Sequence, residues 1–259
     1  MLIKAKKSLG QNFLRSEAAL SSIVECSEIK TSDTVIEIGP GEGVLTEKLL
    51  NTGAKVIAIE KDDRLIEILK EKFNAQLSEG KFVLIHADVT EVDLNKLATN
   101  YKVVANIPYY ITGLIMRRLV DDNKAESLTL LVQREVAERG CRRDGKESLL
   151  SLSLSSYGEA KYIKTVPRGS FVPAPNVDSA IIYIKKYSKN VFKNENEKIH
   201  FFELIHAGFA HKRKTLLHNL NIYKKETGRE IKWEQYIDEK VRAEDVHFDT
   251  WLQLVHDTI

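Results

Sequence analysis

With 259 residues and 43% hydrophobic content, the chain is long enough for a main domain with a smaller companion and too apolar to be disordered. Its formal net charge of +2 leaves the partners undecided, so local basic islands carry more meaning than the total. Cys26 and Cys141 fit neither a disulfide framework nor a metal spacing, no apolar stretch reaches membrane-spanning length, and the first residues lack a signal peptide's apolar segment. A soluble cytoplasmic protein is expected.

In chain order, residues 17–28 read as a short helix and 33–38 as a strand entering the turn Glu37-Ile38-Gly39-Pro40-Gly41-Glu42-Gly43. The helix leaving that turn covers 44–51; a second strand, 55–59, ends at Glu60, and an amphipathic helix follows over 62–73. A third strand, 82–86, leads to Asp88, and a fourth, 101–105, delivers Asn106 to its carboxyl end. A helix around 115–120 and a strand over 128–133 continue the alternation. Strand and helix signals recurring this way predict a parallel sheet covered by helices, whose buried strands read as apolar runs. Residues 149–157 fit strand or helix by pattern alone. Residues 161–187 read as strand, turn and strand around Phe171–Pro175, and helical signals then recur at 197–210, 212–220, 233–239 and 249–256. The polar stretch 188–196 is the boundary candidate, dividing 1–187 from 188–259.

Glycines between a strand and a helix let backbone N–H groups approach a ligand without obstruction, and Gly39, Gly41 and Gly43 meet that need. Glu60 is placed to accept ribose hydroxyls, which serves a nicotinamide cofactor equally well. Asp88, with apolar Val89 beside it, suits the amino group and ring of an adenine. Asn106-Ile107-Pro108-Tyr109 at a strand end supplies carbonyls and an aromatic ring, the groups that hold a planar base with its amine aimed at an electrophile. The His residues show no ligand spacing, and no metal is required. Basic islands at Lys4, Lys6 and Lys7, at Arg142 and Arg143, and at Lys212, Arg213 and Lys214 are candidates for phosphate contact, against the alternative of a solvated surface.

Over nearly its whole length the chain resembles the ribosomal RNA adenine-N6 dimethyltransferases, most closely the small-subunit enzyme. The resemblance is carried by Leu9-Gly10-Gln11-Asn12-Phe13-Leu14, the glycine turn, Asn106 to Tyr109, and Phe171-Val172-Pro173-Ala174-Pro175-Asn176-Val177-Asp178-Ser179-Ala180. It implies an α/β class I S-adenosylmethionine-dependent methyltransferase fold, with a Rossmann-like, mostly parallel sheet and a small C-terminal helical domain. It favours a helix at 149–157, and implies that Asn12, Leu14, Gly39, Gly41, Glu60, Asp88, Val89 and Asn106 bind S-adenosylmethionine. Asn106 and the Pro108 carbonyl would accept N6–H hydrogen bonds, with Tyr109 stacking on the extruded adenine and Phe171 covering its other face. The implied substrate is a pair of adjacent adenines in the 3′-terminal hairpin of small-subunit RNA, within a partly assembled subunit, acted on by a monomer. Arg242-Ala243-Glu244-Asp245 is a weaker match, read as structural. Two other readings stay open: a macrolide-resistance methyltransferase of large-subunit RNA, and a non-catalytic RNA-binding assembly factor. The macrolide-resistance family commonly carries Gly-Ser-Gly-Lys-Gly-His, where this chain has Gly39-Pro40-Gly41-Glu42-Gly43-Val44.

Overall fold

The computed structural model describes residues 5–6, 9–121 and 124–257. The first half runs β1 (Phe13–Leu14), α1 (Glu17–Cys26), β2 (Thr34–Ile38), α2 (Val44–Asn51), β3 (Lys55–Glu60), α3 (Asp63–Lys72), α4 (Asn74–Ser78), β4 (Phe82–His86), β5 (Lys102–Asn106) and α5 (Thr112–Asp121). It continues β6 (Ser127–Gln133), α6 (Arg134–Gly140), α7 (Leu149–Tyr157), β7 (Gly158–Val166), β8 (Phe171–Val172), β9 (Ser179–Lys186), α8 (Glu195–Gly208), α9 (Leu216–Thr227) and α10 (Phe248–His256).

Seven strands form one sheet in the order β4-β3-β2-β5-β6-β9-β7, and β1 pairs antiparallel with β8 in a separate two-stranded ladder. The pairs from β4 through β6 are parallel, and β9 joins β6 antiparallel. Val35, Ile36, Val56, Val103 and Val104 are fully or almost fully buried, as expected of strands covered on both faces. Helix starts follow local chemistry: Ser16 caps α1 by accepting from Ala19 N–H, and Asp62 caps α3 by accepting from Arg64 N–H. Leu65, Ile66 and Leu69 then form the buried stripe of α3.

The ambiguous segment 149–157 is a helix. Ser148 and Ser151 close a reciprocal capping box there, which favours helix over strand at the first turn. Two expected helices differ. The one placed at 212–220 begins only at Leu216, because Thr215 is extended and its hydroxyl accepts from His218 N–H; it runs on to Thr227, where Gly228 at φ 73° ends it. The segment 233–239 makes a single turn, with Tyr236 and Ile237 N–H both donating to the Trp233 carbonyl. Asp238 then redirects the chain by accepting from Lys240 N–H, a local side-chain bond that competes with helix continuation.

The chain divides into two compact units, Met1–Ala137 with Ala160–Lys186, and Glu138–Glu159 with Tyr187–Ile259. The second unit thus includes α7 as well as the segment after residue 188, because Leu152 packs with Phe201, Leu204, Leu216 and Trp251 in the helical core. Among the described residues, no helix is long and apolar enough to cross a membrane.

Candidate active site

The strand order reverses between β2 and β5, and in open α/β sheets that point at the carboxyl ends is where ligands settle. Ile38 lies opposite Ala105 in the register, so the next residues, Gly39 and Asn106, emerge side by side. A cavity of about 300 Å³ opens there. It is lined by Asn12, Leu14, Gly39, Gly41, Glu60, Asp88, Val89, Asn106, Pro108 and Tyr109, which brings together every residue expected to hold the cofactor and three of the four expected to hold the base.

The glycine turn takes φ of 70°, 59° and 75° at Gly39, Gly41 and Gly43. Gly43 is required for space as well as angle, since a Cβ there would lie 2.6 Å from Phe73 Cε2. Above the turn, Glu60 is nearly buried and accepts from Lys61 N–H at 2.9 Å, Asp62 N–H at 2.8 Å and Gly41 N–H at 3.2 Å. Burial raises its pKa while those three donors oppose the shift. Oε2 takes one of the three, which leaves acceptor capacity for a ribose hydroxyl. Asp88 is held down to a pKa of about 2, first by Lys61 and then by Thr90, whose N–H and hydroxyl both reach Oδ1. Lys61 Nζ sits 2.6 Å from Asp88 Oδ2, so any donor approaching that oxygen shares it with the lysine or displaces it. The lining fits S-adenosylmethionine in chemistry: the carboxylates of Glu60 and Asp88 are acceptors for hydroxyl and amine groups, and the glycine turn lines the same cavity.

On the base side, Asn106 Nδ2 donates to the Asn12 carbonyl at 3.3 Å. That fixes the side chain and leaves its own carbonyl oxygen without a donor among the described residues. Tyr109 is half-buried, and its hydroxyl lies 2.6 Å from Ser179 Oγ, which anchors the ring's far end. The Pro108 carbonyl is placed differently from its expected role: it accepts from Ile111 N–H at 3.1 Å and Thr112 Oγ1 at 3.3 Å, so both lone pairs are engaged. Phe171 is 3% exposed and does not line the cavity. It pairs with Leu14 across the small ladder, and both rest in the core of the first unit.

The basic candidates divide. Lys4 and Lys7 lie outside the described residues. Lys6 Nζ is paired with Asp62 at 3.2 Å and Asp63 at 3.4 Å. Arg142 adopts φ 53°, sets its Nε 3.1 Å from the buried Glu147 carboxylate and its Nη2 2.7 Å from His247 Nδ1. It braces the loop between α6 and α7 instead of presenting a charge. Lys146 and the Glu147 N–H are tied in turn to Glu244, which gives the Arg242–Asp245 segment a structural part. Arg143 and the run Lys212, Arg213 and Lys214 are exposed, the run lying in the turn before α9.

Glu37 was legible only as the acid two residues before Gly39, and Gln11 and Asp62 carried no site role in the sequence. Glu37 and Gln11 line the cavity, and Asp62 adjoins it. Gln11 stood inside the Gly10–Leu14 motif, whereas Asp62 had no signal beyond a helix cap. Among the described residues, no group of three or more His, Cys, Asp or Glu is placed to hold a metal.

A model of the ribosomal RNA adenine dimethylases matches residues 2–258. The chain belongs to the ribosomal RNA adenine dimethylase family. It is 40% identical over 261 residues to the ribosomal RNA small subunit methyltransferase A of Fusobacterium nucleatum subsp. nucleatum, covering 98% of each chain. A dimethyladenosine transferase from Plasmodium falciparum superposes with a TM-score of 0.74 at 26% identity, over 95% of this chain and 96% of the other. The 23S rRNA methyltransferase ErmE superposes with a TM-score of 0.77 over 95% and 99%, at 23% identity, a likeness of fold. This member of the family is an enzyme of the class I methyltransferase fold that uses S-adenosylmethionine for adenine-N6 transfer to ribosomal RNA.

Proposed function

We propose that the chain dimethylates N6 of two adjacent adenines in the 3′-terminal hairpin loop of small-subunit ribosomal RNA. It acts as a monomer in the cytoplasm, on a partly assembled subunit, and so contributes to ribosome biogenesis. The observation that carries this reading is the fixed Asn106 amide beside Tyr109, in the same cavity as Glu60 and Asp88.

Adenine N6 is a poor nucleophile because its lone pair is delocalised into the ring. An acceptor at each N6–H favours charge developing on nitrogen and turns the lone pair toward the donor. Asn106 Oδ1 supplies one acceptor. Ile107 lines the same cavity and its carbonyl takes no donor from the described residues, so it supplies the second in place of Pro108. Tyr109, held through Ser179, stacks on the extruded base. Phe171 supports the segment Leu9–Leu14 through Leu14 and reaches the base only through that neighbour. Bound S-adenosylmethionine supplies an electrophilic methyl group, held by Glu60, Asp88 and the glycine turn. Arg143 and the Lys212–Lys214 run meet RNA phosphates, while the reactive adenines come from a loop.

Incubating the protein with labelled S-adenosylmethionine and separated, unmodified small and large subunits tests this. The expected product is N6,N6-dimethyladenine in the small-subunit hairpin, absent with Asn106→Ala. Label confined to large-subunit RNA moves the target there, and no label despite cofactor binding leaves a non-catalytic factor.

A further inference from the structure

The segment Leu9–Leu14 borders the cavity, and together with Lys6 it is held at both ends. At one end Phe13 and Leu14 pair with Val172 and Phe171. Midway, the Asn12 carbonyl accepts from Asn106, and the Phe13 ring lies so near Gly41 that a Cβ there would stand 3.2 Å from Phe13 Cδ1. At the other end the Asp62 carboxylate holds both Gln11 and Lys6, and Asp63 adds a longer contact of 3.4 Å to Lys6 Nζ. The Asp62 side chain is fully buried and accepts from Gln11 Nε2 at 2.8 Å and Lys6 Nζ at 3.2 Å. Gln11 Oε1 accepts from Lys6 N–H at 2.8 Å, which closes a ring of bonds between the arm and Asp62.

Capping α3 does not need this ring. The cap requires only the Arg64 N–H, at 3.2 Å, and the Arg64 guanidinium already offsets the buried charge from 3.0 and 2.6 Å. Asp62 is also joined to the cofactor side of the cavity, because its N–H donates to Glu60 Oε1 at 2.8 Å. The fastening of the arm and the carboxylate placed for the ribose thus share one turn at the end of β3.

We propose that Asp62 is a positioning residue for the cofactor, acting through Gln11 and Lys6 to keep Asn12 and Leu14 over the cavity before the cofactor arrives. This rests on reading the cavity as the S-adenosylmethionine site. A segment that must be ordered at the moment of binding subtracts its ordering cost from affinity, and one already in place does not. Asp62 touches no cofactor atom in this scheme; its effect is carried entirely by the arm.

Calorimetric titration of S-adenosylhomocysteine into the wild type, Gln11→Ala, Asp62→Asn and the double variant tests the scheme. Asn retains a cap acceptor for α3, and Gln11→Ala leaves Asp62 and its cap untouched. Each single variant is expected to weaken binding by about tenfold, the scale of one lost charge-assisted hydrogen bond. The double variant should bind no worse than the weaker single one. KM for S-adenosylmethionine should rise while kcat at saturating cofactor holds, and the melting temperature of Gln11→Ala should stay at the wild-type value. Wild-type affinity in Gln11→Ala, with a lowered melting temperature in Asp62→Asn, would make Asp62 a helix cap alone and overturn the proposal. Wild-type protein that fails to bind S-adenosylhomocysteine would instead sink the assignment of the cavity, and the positioning role of Asp62 with it.

Discussion

Glu37 is a carboxylate placed where water scarcely reaches it. Burial pushes its pKa up to about 8, against the pull of the Thr46 hydroxyl that donates to Oε2 at 2.7 Å. A pKa raised in the folded state means that folding holds the proton more tightly than the unfolded chain does. The stabilisation from Glu37 is therefore complete below the ordinary carboxylate range and is lost as pH climbs from 4.5 to about 8. Glu37→Gln, which cannot ionise, should show a flatter decline of melting temperature with pH over that window, and an unchanged slope would count against the buried acid. Asp88 is the opposite case, since Lys61 keeps it ionised throughout the neutral range. The two aromatic candidates separate at the same scale. Tyr109→Ala should abolish most methyl transfer while S-adenosylhomocysteine still binds, because the ring lines the cavity. Phe171→Leu should retain most activity, since Leu keeps much of the apolar volume that the core needs there, and a loss as deep as that of Tyr109→Ala would return Phe171 to the base-stacking role.

Among the elements, the glycine turn is the most constrained. Gly43→Ala meets both a left-handed backbone and the Phe73 ring, so it should cost ~1–3 kcal/mol and lower the melting temperature by several degrees. Cofactor affinity should fall with it, and a variant that melts and binds like the wild type would refute the steric reading. The parallel strands were legible because apolar runs such as 55–59 and 101–105 are short for helices and recur between helical segments, and each leads into a residue that lines the cavity, Glu60 and Asn106. What sequence could not show was pairing. A lysine at position 6 and an arginine at position 142 look like the exposed run at 212–214 until Asp62 and Glu147 are found beside them. Phe171 likewise resembled an exposed platform within a Pro-spaced loop, although its register opposite Leu14 turns it inward. The segment 233–239 carried helical spacing, but Asp238 bonds locally and ends it after one turn.

At the scale of the molecule, the cavity residues all fall in the first unit and the Lys212–Lys214 run in the second. Replacing Lys212, Arg213 and Lys214 together with Ala should leave S-adenosylhomocysteine affinity untouched while weakening RNA binding. The plot of log affinity against log salt should become shallower by about 2–3, one counterion for each phosphate the variant no longer neutralises. An unchanged slope would remove the run from the RNA interface. The ladder between β1 and β8 adds a consequence in time. Its two strands lie more than 150 residues apart along the chain, yet Leu14 has no ladder partner until Phe171 exists. At a synthesis rate of about 5–20 residues per second, Leu14 is added to the chain roughly 8–30 seconds before its ladder partner is made. The stretch of the cavity wall that is translated first therefore waits for a residue made only after the whole lining, Leu9 to Leu114, has been synthesised.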